Sequence, residues 1–286
     1  MNSGLKIIEC PRDAMQGLHH FVETDLKAAY INTLLKVGFD TIDFGSFVSP
    51  KAIPQMRDTA ELISKLDLST TKSKLLAIIA NTRGATDAAS FDEISYLGFP
   101  FSISETFQQR NTNSSIAESL VRVEEIQQVC LRNNKELVVY ISMGFGNPYG
   151  EEWSVEVVEK WTKKLVDMGI KIIAFSDTIG VSNAENIRYL FQNIAPLFPN
   201  IEFGAHLHST PEARIEKIAA AYEAGCRRID SAIYGFGGCP MASDRLTGNI
   251  ATESILDYLH QNQLKLAIDQ QALQEAMLIA NKVFYS

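Results

Sequence analysis

Cysteine is scarce in this 286-residue chain: Cys10, Cys130, Cys226 and Cys239 stand far apart, and no two have a CxxC spacing. That pattern argues against a disulfide framework and suits a reduced, cytoplasmic protein. Basic charge is also short, with 26 Lys and Arg against 34 Asp and Glu and a formal net charge of −8. General binding to nucleic acid or to an anionic membrane relies on basic surface, so neither is expected as a partner. Purely apolar runs last only a few residues, as at 75–80, against the roughly 20 needed to cross a bilayer. The first ten residues include Glu9 and no basic leader, and the Phe-Tyr-Ser end is not a peroxisomal address. No secretory or transit segment is expected. A Pro/Ser-rich linker is missing too, which implies one domain over residues 1–286.

What the chain has in abundance is alternation. β-rich apolar runs at 5–10, 40–47, 74–81, 94–103, 136–143, 171–177, 201–208 and 228–234 are separated by helical periodicity at 24–37, 54–65, 115–133, 154–168, 183–195 and 211–224. Ser115 and Glu118 have the spacing of a capping box, and Pro211 fits a first helical position. Gly38, Gly169 and Gly225 stand where left-handed helix caps favour glycine. Eight βα units in one chain most economically close into an α/β fold of the (β/α)8 TIM-barrel type, over about 5–262. A short helical appendage is expected at about 269–283. A doubly wound open sheet is the competing architecture, but Cys10-Pro-Arg-Asp-Ala14 stands where its Gly-rich phosphate loop belongs.

In such a barrel, chemistry gathers where strands end. Strand alternation in Gly204-Ala-His-Leu-His208 sends His206 and His208 to one face, into the barrel mouth. Two inward histidines are costly to desolvate without partners, so a metal is favoured over a pair of core histidines. Asp13 ends the first strand, a near neighbour of the seventh and eighth around the ring, and supplies a carboxylate; Asn249 in Gly248-Asn249 offers an amide oxygen. A mixed set of this kind suits Mg2+ or Mn2+, with non-haem Fe2+ as the chemical competitor. Asp43, between Ile42 and Phe44, points to the mouth, and Asp177 ends the sixth strand; either can serve as acid, base or outer support. An N-cap role is the plainer alternative for Asp177. Tyr234-Gly-Phe-Gly-Gly-Cys-Pro-Met241 carries a thiol, Cys239, on a glycine-rich loop that reads as a lid.

With these segments in view, the chain resembles the 3-hydroxy-3-methylglutaryl-CoA lyase family within the metal-dependent lyase and Claisen-condensing barrels. The likeness covers nearly the whole chain. It rests on Pro11-Arg-Asp with Gln16, Ser46-Phe-Val-Ser-Pro-Lys51 followed by Pro54-Gln-Met56, Asp177-Thr-Ile-Gly180, His206-x-His208, Gly235-Phe-Gly-Gly-Cys-Pro240 and Thr247-Gly-Asn-Ile-Ala-Thr-Glu253. The resemblance implies that Asp13, His206, His208 and Asn249 hold Mg2+ or Mn2+. It further implies that Arg12 stabilises an enolate-like thioester oxygen, that Cys239 moves a proton, and that Asp177, Asp43 and His206 support the chemistry. Gln16, Ser46, Lys51 and Arg110, with Arg12, would contact an acyl-CoA thioester. The reaction implied is cleavage to acetyl-CoA and acetoacetate, in a homo-oligomer, a dimer first of all.

The sequence departs from that pattern at Asp43, where the family usually has the longer Glu, and at Ser209, where an Asp usually follows the second histidine. It departs again at Asn147 in place of a cysteine, and at Gln108-Gln-Arg110 in place of a lysine-rich stretch. A different 3-hydroxyacyl-CoA, a condensing reaction with a 2-oxo acid, and a catalytically silent acyl-CoA-binding barrel therefore stay open as alternatives.

Overall fold

A computed structural model of the chain describes residues 2–238 and 247–285. Among them, eight parallel strands close a barrel in chain order. They are β1 (Lys6–Glu9), β2 (Thr41–Ser46), β3 (Lys74–Ile78), β4 (Ile94–Ser102), β5 (Glu136–Ser142), β6 (Ile172–Ser176), β7 (Glu202–His206) and β8 (Arg228–Ser231). Lys6 pairs with Arg228 and Glu9 with Ser231, so β8 returns to β1 and leaves no open edge. The expected TIM barrel is the observed one. Each strand is shorter than its apolar run because the run continues into the βα loop that carries the site.

Around the barrel lie α1 (Pro11–Gln16), α2 (Thr24–Val37), α3 (Thr59–Ile63), α4 (Thr82–Ala89), α5 (Glu105–Thr112), α6 (Ile116–Arg132), α7 (Val155–Asp167), α8 (Ala184–Ile194), α9 (Arg214–Glu223), α10 (Thr252–Gln261) and α11 (Gln270–Phe284). Ser115 and Glu118 form the capping box that their spacing predicts. The helices expected at 54–65 and 211–224 each open with a 3-10 turn, Pro54–Met56 and Pro211–Ala213, before the α-helix proper. α1, α4 and α5 escape the sequence reading because helices of six or eight residues hold too few turns to show a 3.6-residue period.

Strand alternation divides the core in two. Ile7, Ile42, Phe44, Leu97, Phe99, Val139, Phe175 and Ile229 face outward and pack under the helices. Leu76, Tyr96, Val138, Tyr140, Ile172 and Ala174 form a separate apolar cluster inside the barrel, on β3 to β6. Charged groups share the interior at the starts of the strands, where Arg228 and Lys6 both bond Glu202, at 3.2 and 2.5 Å.

α11 is more than an appendage. Its Phe284 meets Tyr30 of α2 edge-on at 6.2 Å and stacks on Phe236 of the glycine-rich loop at 4.2 Å. Two carboxylates, the buried Glu9 and the half-buried Glu253, hold the start of the same loop. Ile233 N donates to Glu9 Oε1 at 2.8 Å, and Tyr234 N to both oxygens of Glu253 at 3.1 Å. Thr252 Oγ1 bonds Glu9 Oε2 at 2.5 Å and Ser231 Oγ at 2.9 Å.

Burial pushes the Glu9 carboxyl up from 4.5 to about 8, against the pull of those hydrogen bonds. The folded state thus holds a proton that the unfolded chain has released over the interval between those values. Stability linked to Glu9 is full below pH 4.5 and falls as pH rises toward about 8, by up to about 1.4 kcal/mol per pH unit. Urea unfolding of the parent and Glu9→Gln at pH 5 and pH 8 is expected to show this decline in the parent and much less of it in the variant. Equal declines in both would mean that Glu9 is ionised in the fold.

Candidate active site

The site at the mouth is built from the ends of β1, β7 and β8. Pro11 occupies the first turn of α1, where its fixed φ suits a helix start. The chain therefore turns helical directly after β1, and Arg12, Asp13 and Gln16 stand together. Arg12 Nε donates to both oxygens of Asp43 at 3.2 and 3.1 Å, and its Nη1 donates to Asp13 Oδ1 and Gln16 Oε1 at 3.0 Å. Gln16 Nε2 completes the triangle to Asp13 Oδ1 at 2.8 Å. Asp43 faces the interior as strand alternation predicts, 1% exposed beneath the guanidinium.

His206 ends β7, and His208 begins a two-residue antiparallel ladder with Gly248–Asn249, in which Asn249 lies opposite His208. That ladder delivers Asn249 to the site. Its Nδ2 donates to Asp13 Oδ2 at 2.7 Å and to the Phe236 carbonyl at 2.8 Å. Gly237 covers the cluster with φ +89°, and a Cβ there would lie 2.8 Å from Asn249 Nδ2 and 2.9 Å from Asp13 O.

Asp13, His206 and His208 offer ligand atoms that all lie within 4.8 Å of one another. Each imidazole has its Nδ1 engaged behind it: His206 with Asp230 Oδ2 at 3.1 Å, His208 with the Thr178 carbonyl at 3.2 Å. A carbonyl only accepts, so His208 carries its proton on Nδ1 and keeps a lone pair on Nε2. That Nε2 is buried and has no hydrogen-bond partner among the described residues. Burial, with His206 nearby, pushes His208 down to about 4, so it is neutral as a ligand must be. Burial works against ionisation of Asp13, but Arg12 and the histidines prevail and hold it at about 2. Two imidazoles and one ionised carboxylate, backed by fixed partners, fit a divalent ion.

A cavity of about 360 Å³ opens in front of this cluster and reaches Arg12, Gln16, Ser46, Thr178, His206 and His208. Asp177 is not on its wall. It sits 1% exposed behind the histidines, where Oδ2 accepts from Ser182 N at 3.1 Å, from Ser182 Oγ and from Lys217 Nζ at 3.1 Å. The N-cap of α8 is Asn183 instead. Lys51 and Arg110 are exposed; each is next in sequence to a wall residue, Ala52 and Asn111, so both flank the rim. Cys239 lies outside the described residues.

Two supporting residues escaped the sequence reading. Asp230 was legible, since Ile229 faces the helices and alternation turns its neighbour inward toward His206. Lys217 was not: on an amphipathic helix it reads as solvated, yet it is 5% exposed and also donates to the His208 carbonyl at 2.6 Å.

Residues 5–279 match the HMGL-like family. The chain belongs to that family. Among HMGL-like relatives, the cytoplasmic 3-hydroxy-3-methylglutaryl-CoA lyase of Rattus norvegicus is 31% identical over 95% of this chain and 79% of its own length. The 3-hydroxy-3-isohexenylglutaryl-CoA/hydroxymethylglutaryl-CoA lyase of Pseudomonas aeruginosa is 31% identical over 93% and 88%. Of solved structures, hydroxymethylglutaryl-CoA lyase from Pseudomonas aeruginosa superposes with TM-score 0.91 at 30% identity, covering all of this chain and 95% of that one. An HMG-CoA lyase from Acenitobacter baumannii, solved with coenzyme A and 3-methylmalate, gives TM-score 0.90 at 30% identity over 99% and 92%.

Calorimetric titration with Mn2+ is expected to show one tight site in the parent and none in His208→Ala. Asp230→Asn should bind about 10–100-fold more weakly, because it loosens the orientation of His206 without removing a ligand. Unchanged affinity in both variants would place the ion elsewhere. Gly237→Ala, strained at positive φ and crowded against Asn249, should cost about 1–3 kcal/mol in urea unfolding.

Proposed function

We propose that this chain is a carbon–carbon lyase that cleaves 3-hydroxy-3-methylglutaryl-CoA to acetyl-CoA and acetoacetate. The supporting observation is one cavity of an HMGL-like chain in which the Arg12 guanidinium lies beside a preformed Asp13, His206 and His208 set. Those three residues and Asn249 would hold Mg2+ or Mn2+, which when bound supplies the Lewis acidity that makes a tertiary hydroxyl easier to ionise.

The rest of the chemistry falls to the chain. As the C3 hydroxyl loses its proton, the C2–C3 electron pair moves onto the thioester fragment, C3 becomes the ketone of acetoacetate, and C2 then takes a proton to give acetyl-CoA. Arg12 faces the thioester oxygen on which charge develops, and a guanidinium already oriented for that charge lowers the barrier without reorganising. Asp43 holds the plane of Arg12 from below, and burial raises Asp43 itself to about 6. Gln16 and Ser46 line the acyl site. Cys239 would return the proton to C2, and Asp177, locked by Lys217, steadies the ends of β6 and β7 behind the histidines. Lys51 and Arg110 at the rim suit the anionic phosphates of the CoA end. We assign the protein to the cytoplasm and to a homodimer; no helix among the described residues is long and apolar enough to cross a membrane.

Incubation with 3-hydroxy-3-methylglutaryl-CoA and Mg2+ is expected to release acetoacetate and acetyl-CoA, and a chelator to stop it. Arg12→Met should lower kcat by about 10²–10³-fold with a much smaller change in KM. Recovery of intact thioester from protein with metal demonstrably bound would overturn the lyase reading.

A further inference from the structure

Below the cavity the barrel interior carries a buried guanidinium that the cleavage chemistry does not use. Tyr140 pairs with Ala174, Ala174 pairs with Gly204, and Ala205 pairs with Ile229, so Tyr140, Ala174, Gly204 and Arg228 stand at one level of the ring. The two small residues leave the middle of that layer to the two long ones. A Cβ on Gly204 would lie 3.1 Å from Arg228 Cδ and 3.3 Å from its Cγ, so the missing side chain is what lets the arginine enter. Ser176, His206 and Asp230 form the layer above and border the cavity.

Arg228 is fully buried. Its Nη1 bonds Glu202, which Lys6 bonds in turn where β1 and β7 begin. Its Nε and Nη2 have no hydrogen-bond partner among the described residues, and neither do Tyr140 Oη and Asp230 Oδ1. Asp230 lies two residues on from Arg228 and so shares its inward face, while its other oxygen bonds His206 Nδ1 at 3.1 Å. Arg12, the other guanidinium near the cavity, is engaged with Asp43, Asp13 and Gln16. Burial works against the Arg228 charge, but Tyr140, Asp230 and Glu202 outweigh it and keep the guanidinium protonated. Charges of alternating sign, Lys6, Glu202, Arg228 and Asp230, therefore climb the barrel to His206.

We infer that Arg228 is a positioning residue for His206: from the layer below, its guanidinium steadies Asp230 by the attraction of opposite charges in a low-dielectric interior, and Asp230 aims the imidazole. This role rests on the reading of Asp13, His206 and His208 as ligands of a divalent ion. Neutralising Glu202 alone is a poorer account of Arg228, because Glu202 already has Lys6 and because one hydrogen bond to it leaves Nε and Nη2 unspent.

Two measurements test it: Mn2+ affinity by calorimetry and, in the metal-free protein, the downfield Nδ1–H resonance of His206 bonded to Asp230. Arg228→Met is expected to weaken Mn2+ binding about tenfold and to lose that resonance, whereas Arg228→Lys, which keeps the charge, should stay within about threefold of the parent and retain it. Arg228→Met combined with Glu202→Gln, which removes the carboxylate left behind, should fold as the parent does yet bind Mn2+ as weakly as Arg228→Met. Recovery of parental affinity there would reduce Arg228 to a partner of Glu202 and overturn the inference. In an Asp230→Asn background, adding Arg228→Met should change the affinity less than about twofold, because both act on one imidazole through one carboxylate. Losses that multiply in that double variant would overturn the inference too, as would an intact resonance in Arg228→Met or Mn2+ bound as tightly as by the parent. If the parent binds no Mn2+ while the resonance is still lost in Arg228→Met, the metal reading fails and the positioning stands.

Discussion

A buried carboxylate stays ionised only if its surroundings replace the water it has lost, and Asp13 is the group on which this architecture converges. Arg12 and Gln16 reach it from its own short helix, Asn249 from the segment after β8, and the two histidines from the end of β7. These partners come from opposite ends of the chain. They meet only because β8 pairs with β1 and closes the ring. Closing the barrel and assembling the site are therefore one event.

Charge in the molecule is arranged around that convergence in layers. The ligand atoms face the cavity, and behind them Asp230, the Thr178 carbonyl, Lys217 and Asp177 fix which nitrogen of each imidazole is free and where its backbone lies. The same logic acts on the glycine-rich loop, whose first amides are gripped by Glu9 and Glu253 and whose Phe236 rests on Phe284. The C-terminal helix thus belongs to the mechanical support of the mouth. The formal net charge of −8 is a sum over the whole chain, whereas the sign of the pocket is decided by a few local groups and by the ion they would hold.

Much of the site was legible because strands alternate. His206, His208 and Asp43 announced their direction through the apolar residues beside them, and Asp230 did the same though it went unread. Asp177 is the first residue past β6, one step out of phase with the interior positions Ile172, Ala174 and Ser176, so it turns behind the site and meets Lys217, the position of an outer support, one of the roles its place at the strand end left open. Arg12 was identifiable as a candidate, yet its bidentate hold on Asp43 joins two strand ends separated by a whole βα unit, which no local pattern reveals.

The sequence by itself determined the eight βα units, the closed barrel they imply, the helix caps and the inward faces of the strands, because these follow from short-range periodicity and backbone chemistry. Only the tertiary structure decided which inward residues touch, that Lys217 is buried rather than solvated, and that α11 supports the glycine-rich loop. Those features depend on contacts between residues far apart in the chain, and such contacts are set by how the ring closes rather than by what stands next to each residue.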